Sequence, residues 1–207
     1  IAITTFTEDP TAYQLEPNWS WSYEEIERAN NALIYIPRIP VMDPDIRNRC
    51  MGEAYFLRAF GYWMLNQLYG SVPLILEQNE ETADYNVPKS GIDSVRSQIE
   101  SDLLKAADLL PETYDASNKG RVTKGSAWGL LCKLYMTWDK LDQALVYGEK
   151  IVNDPNYALA PDYRDNFTLG SQQDNSTELL FAVWNKNNYN NSPINIYFTP
   201  RAWNGWG

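Results

Sequence analysis

Apolar positions recur every three or four residues in five separate stretches of the chain, the spacing that places side chains on one face of a helix. From Trp19 the series runs through Tyr23, Ile26, Asn30 and Leu33 until Pro37 and Pro40 end it. Asp43-Pro44 reads as a side-chain cap followed by proline at the first helical position. The helix it opens carries Met51, Ala54, Leu57, Tyr62, Leu65 and Leu68 and stops at Gly70. Three further helices are predicted over about 93–110, closed by Pro111, about 123–139, and 141–153 before Pro155. Residues 71–92 combine the apolar run Val72–Leu76 with an acidic loop and a turn at Val87-Pro88-Lys89-Ser90, and are expected to form an ordered insertion. Beyond Pro161 the helical period ceases, and Leu179, Leu180, Phe181, Val183 and Trp184 are expected to form a short buried strand.

The last two helices fit the register of a tetratricopeptide repeat, in which large and small side chains alternate so that paired helices interlock. Trp128, Leu131 and Tyr135 supply the large positions, and Cys132 and Ala144 the small ones. Gly148 and Ile151 fall at the later packing positions, and Pro155 lies one residue before the terminal proline position. The predicted fold is therefore mainly α, a tetratricopeptide-like helical repeat scaffold with irregular binding loops. Helices 44–69 and 93–110 are expected to form an earlier, degenerate repeat with residues 71–92 inserted between its arms.

Composition narrows the functions open to such a scaffold. At 207 residues and 44% hydrophobic content the chain is long enough for one domain with a sizeable core. A net charge of -10 leaves no basic stripe for nucleic acid or for an anionic lipid surface. A neutral polymer is not repelled. Histidine is absent, which removes His-based acid–base chemistry, Ser-His triads and the usual zinc sites. Cys50 and Cys132 both fall in helical patterns, where a small buried thiol is expected rather than a disulfide. No run approaches the roughly 20 apolar residues of a membrane-spanning helix.

Several spaced segments together resemble the SusD/RagB family of outer-membrane nutrient-uptake lipoproteins. They begin with Trp19-x3-Tyr23-x2-Ile26-x2-Ala29-Asn30, then Arg49 to Phe60, reading RCMGEAYFLRAF. Next come Tyr62 to Leu68 and the turn Tyr69-Gly70-Ser71-Val72-Pro73-Leu74. Gly120 to Ala127, reading GRVTKGSA, precedes the repeat helix, and Tyr157-x-Leu159 and Glu178-Leu179-Leu180-Phe181 follow it. The order and spacing agree over about residues 19–184. The resemblance implies a tetratricopeptide-like scaffold whose loops hold a glycan, partnered with a SusC-like TonB-dependent outer-membrane transporter and working at the cell surface. It also implies a lipid anchor outside this chain and a large further segment beyond the Gly205-Trp206-Gly207 region, so the expectation is a fragment, residues 1–207 belonging to a single SusD-like helical domain.

A glycan site pairs flat aromatic faces, which cover the weakly polar side of a sugar ring, with amides and carboxylates that bond its hydroxyls. Residues 185–207 hold seven Asn and five aromatics against two charges, Lys186 and Arg201. Tyr189, Asn190, Tyr197, Trp203, Asn204 and Trp206 are the expected ligand-binding residues. Trp19, Trp21, Trp63, Trp128 and Trp138 sit in helical patterns and are expected to pack in the core or at an interface. Glu53 is placed to pair with Arg49 on one helix face. Arg121 and Lys124 open a helix, where positive charge needs a partner that the sequence does not identify.

The acidic pairs Asp102/Asp108 and Glu80/Glu81 lack the cleft-spanning placement of glycosidase carboxylates, so no catalytic residue is assigned. Asp162, Asp165 and Asn166 lack EF-hand spacing, so no metal or other cofactor is assigned. The alternative to glycan capture is a tetratricopeptide-type adaptor that binds protein through the helix pair at 123–153.

Overall fold

The structure, a computed structural model, describes residues 16–77, 87–163 and 177–182. Five α-helices account for most of them: α1 (Glu16–Tyr35), α2 (Pro44–Tyr69), α3 (Ile92–Leu109), α4 (Lys124–Thr137) and α5 (Leu141–Val152). Each helix packs chiefly on its neighbours in sequence, α1 on α2, α2 on α3, α3 on α4 and α4 on α5. This serial stacking is the arrangement of a helical repeat array.

Local chemistry sets the helix ends. Asp43 caps α2 by accepting from the amides of Asp45 at 2.9 Å and Ile46 at 3.0 Å, with Pro44 in the first turn where no donor is needed. The helix ends at Gly70, whose φ of 69° is open to glycine at little strain. Thr123 caps α4 in a reciprocal box with Ser126, each side chain accepting from the other's amide. Trp138–Lys140 turn the chain from α4 into α5, and Asp139 takes the left-handed conformation with φ 57°.

The core is a seam along α2 and α3. Phe56, Tyr62 and Leu65 from α2 meet Ile26 of α1 on one side, and Val95, Ile99 and Leu103 of α3 on the other. Leu131 and Leu134 extend it into α4. Two glycines let helices approach closely: a Cβ at Gly61 would stand 2.9 Å from Ile26, and one at Gly52 would stand 2.9 Å from Leu110.

A buried polar cluster crosses this seam. Arg58 of α2 donates to both carboxylate oxygens of Asp102 of α3, at 2.8 and 2.7 Å, and to Asn30 of α1 at 2.9 Å. Asn30 in turn donates to the carbonyl of Ile75 at 2.8 Å, and Gln98 donates to Asp102 at 2.9 Å. Residues 71–77 are pinned further by Tyr62, whose hydroxyl accepts from the Ile75 amide at 2.7 Å and donates to its carbonyl at 2.9 Å. Tyr23 donates to the carbonyl of Pro73 at 2.8 Å. The expected ordering of the insertion therefore holds over Ser71–Glu77, while Glu80 and Glu81 lie outside the described residues.

Two expectations need correction. Residues 177–182 run without a strand, because Ser126 of α4, not a neighbouring strand, takes up the Leu180 carbonyl. Phe181 packs on the core against Phe56 and Phe60, whereas Leu179 is exposed; Val183 and Trp184 lie outside the described residues. Of the two placements expected for Trp21, core or interface, the core one is overturned: it is 66% exposed, since the buried side of its helix is set by Ser22, Ile26, Ala29 and Asn30.

Candidate functional site

The start of α4 gathers three separate parts of the chain. Gly125 and Gly129 leave its surface bare, and larger side chains lie across it: a Cβ at Gly125 would fall 2.2 Å from the Tyr157 hydroxyl, and one at Gly129 would fall 2.6 Å from Leu180. Thr123 exchanges a hydrogen bond with the Tyr157 hydroxyl at 2.8 Å. The Ser126 hydroxyl donates to the Leu180 carbonyl. The sequence GRVTKGSA thus supplies a cap, two side-chain anchors and a glycine on which Tyr157 rests.

Beside this junction lies a cleft of about 470 Å3, within the usual range for a small-molecule site. Tyr114, Lys119, Arg121, Thr123, Asn156 and Tyr157 line it, together with residues 179–182. Arg121 is fixed by Glu53 of α2, with Nη1 3.1 Å from each carboxylate oxygen, and its Nε donates to Asn118 at 3.1 Å. Glu53 is the partner that the sequence left unidentified. It lies 3.9 Å from the Arg49 nitrogen expected to pair with it, and it also accepts from the Tyr114 hydroxyl at 3.3 Å. Burial and the Glu53 carboxylate push the Tyr114 phenol up from its ordinary value, and burial does the same at Tyr157. Both stay neutral, the Tyr114 proton committed to Glu53 and the Tyr157 hydroxyl shared with Thr123.

The cleft combines phenol and apolar surface with hydroxyl, amide and cationic donors, a set suited to a polyhydroxylated ligand. Among the described residues its lining holds one carboxylate, Glu112. Asp102 is buried under Arg58 rather than presented to a ligand.

The six residues expected to contact ligand, Tyr189, Asn190, Tyr197, Trp203, Asn204 and Trp206, all lie outside the described residues, as do Asp165 and Asn166. Ala182, the last described residue of the chain, lines the cleft. The remaining helical tryptophans divide. Trp19 packs edge-on against Tyr69, and Trp63 lies against Phe60 with Lys133 above its ring. Trp128 and Trp138 are partly buried against the core. Cys50 and Cys132 are both free thiols, partly exposed, on α2 and α4.

Comparison with known proteins places this architecture. The SusD-like family profile, described as starch-binding associating with outer membrane, matches residues 3–136. A SusD-like protein of Bacteroides ovatus is 26% identical over 180 residues, covering 80% of this chain and 32% of that protein. Among solved structures, a laminarin binding SusD-like protein is 35% identical, with a TM-score of 0.67 over 72% of this chain and 33% of its own. A SusD superfamily protein from Bacteroides vulgatus superposes with a TM-score of 0.79 at 25% identity, over 88% of this chain and 39% of its own. The chain spans about a third of the length of the relatives it matches. With the family profile running from before α1 to the end of α4, and the same helical scaffold in its solved relatives, the chain belongs to the SusD-like family.

Proposed function

We propose that this chain is the helical part of a cell-surface glycan-binding protein that captures neutral oligosaccharides and passes them to a TonB-dependent outer-membrane transporter. The observation that carries the reading is the match of the family profile across α1 to α4, seconded by 35% identity to a laminarin binding protein of the same scaffold. The helices act as the frame. At the α4 junction, Tyr157 and residues 179–182 are laid across two glycines beside the cleft. The Asn- and Trp-rich segment and this cleft form the binding surface, with Tyr189, Tyr197, Trp203 and Trp206 as stacking faces and Asn190 and Asn204 as hydroxyl partners.

This is binding without chemistry, because recognition needs only donors, acceptors and aromatic faces held in place. The partner transporter and a lipid anchor belong to the same reading and rest on family membership. Titration calorimetry of the full-length protein against laminarin and maltooligosaccharides tests it. Saturable binding without release of reducing ends is the expected result. A protein that binds none of these glucans, yet binds a protein partner through α4 and α5, would overturn it in favour of an adaptor.

A further inference from the structure

The outer side of the α1–α2 pair holds a second concavity, of about 610 Å3. Trp21 and Glu25 stand one helical turn apart on its α1 wall, Leu57 stands on its α2 wall, and Ala29, Ala32 and Ala54 form a shallow floor between them. Small floor residues leave room for a flat ring.

Trp21 and Glu25 contribute little to the fold. The Trp21 ring is 66% exposed and has no aromatic or cationic partner among the described residues. Glu25 is partly buried, and among the described residues its carboxyl has neither a hydrogen bond nor an ion pair. Burial alone pushes it up to about 7. An exposed indole beside a desolvated, unpartnered carboxyl is a site that gains from a ligand bringing both an apolar face and hydrogen-bond donors.

Glu24 is paired with Arg28, and Glu53 with Arg121 from the neighbouring cleft, so the other two wall carboxylates already have partners. Glu25 is thus the wall carboxylate left without a partner among the described residues. A sugar ring meets the requirement, with its C–H face for the indole and its hydroxyls for the carboxylate.

We propose that this groove is a sugar-ring subsite in which the ring stacks on Trp21 and donates hydroxyl hydrogens to Glu25. The proposal rests on the glycan-binding reading and adds a contact on the helical face, distinct from the α4 cleft. The two concavities are neighbours, because Glu53 lines the groove while its ion-pair partner Arg121 lines the cleft. A polysaccharide long enough to pass over that ion pair contacts both, whereas a disaccharide occupies one.

The test compares wild type, Trp21→Ala and Glu25→Gln in the full-length protein, by calorimetry with laminarin and with its disaccharide and by NMR of the indole N–H groups. Trp21→Ala and Glu25→Gln are expected to weaken laminarin binding by about five- to tenfold and to leave disaccharide binding unchanged. The indole resonance missing from Trp21→Ala should shift when laminarin is added to wild type. Wild-type laminarin affinity in both variants, with that resonance unmoved, overturns the subsite and leaves the glycan-binding reading intact. Failure of the wild-type protein to bind any of the glucans named above overturns both.

Discussion

Arg58 and Asp102 lie 44 positions apart in sequence, yet they form a two-bond guanidinium–carboxylate pair sealed between α2 and α3. Both side chains are buried, and Asn30 and Gln98 satisfy further positions on each. Removing one member leaves the other as an uncompensated charge in a dry interior, at a cost of about 3–5 kcal/mol. Arg58→Met and Asp102→Leu should each lower the unfolding free energy of the full-length protein by that order, read from chemical denaturation. The double substitution should recover part of the loss, because no lone charge remains. Additive single-site losses would contradict the pairing.

Glu25 gives a pH signature. Its carboxyl titrates at about 7 in the folded chain against an ordinary value of 4.5, so the folded state favours the proton. Stability relative to a neutral side chain is fully kept below about pH 4.5, where the carboxyl is protonated in both states, and falls as pH rises through about 7, where the buried group must ionise and its desolvation penalty is complete. Glu25→Gln does not titrate, so it should be indistinguishable from wild type in acid and more stable above neutrality. The difference should be about 1 kcal/mol, reduced from the full linkage value because the group is partly solvated. Melting temperatures of both proteins across pH 4 to 8, as a rough range, check the sign.

Gly125→Ala should destabilise, although alanine is the better helix former by about 1 kcal/mol. The new methyl would coincide with the Tyr157 ring, 2.2 Å from its hydroxyl, and expel it along with its bond to Thr123. A net loss of about 1–3 kcal/mol is expected. In a Tyr157→Ala background the same substitution should become neutral or favourable, and a double-mutant cycle by chemical denaturation measures that coupling.

Trp203 and Trp206 carry the prediction for the binding segment. Replacing either with Ala in the full-length protein should weaken glycan binding by about 1–3 kcal/mol, by analogy with stacking on nucleobases, and leave the melting temperature in place. Trp128→Ala should behave in the opposite way. Its partly buried ring packs on the core beneath Lys150, so stability should fall by about 2–3 kcal/mol while glycan affinity is kept. Calorimetric binding and thermal denaturation of the same three variants separate the two classes.

The helices were legible because their signals are local. Asp43-Pro44 marks a start, Gly70 a stop, and the apolar period between them a face, all within one element. The Arg58–Asp102 pair was not, since its spacing depends on how α2 and α3 stack, and Asp102 in sequence is one acidic helical residue among several. The same holds for Arg121, whose partner Glu53 lies 68 positions away. Trp21 could have been placed by a stricter reading of α1: Ser22, Ile26 and Ala29 define the inward stripe, and Trp21 and Glu25 each precede one of its members by a single residue, about 100° around the helix. The Leu179–Trp184 run suggested a strand from apolar content alone, but its described part answers to a bare patch on α4.

The polar cluster joining Asn30, Arg58, Ile75 and Asp102 also bears on how this scaffold opens. In a repeat array, units can unravel from an end one at a time. Here α1 cannot leave without depriving a buried guanidinium of a partner, and α3 cannot leave without stranding its charge. In amide exchange, α1, α2, α3 and residues 71–77 should therefore share one opening free energy as a single foldon, while α5, with Ala144 as its one buried residue, exchanges first.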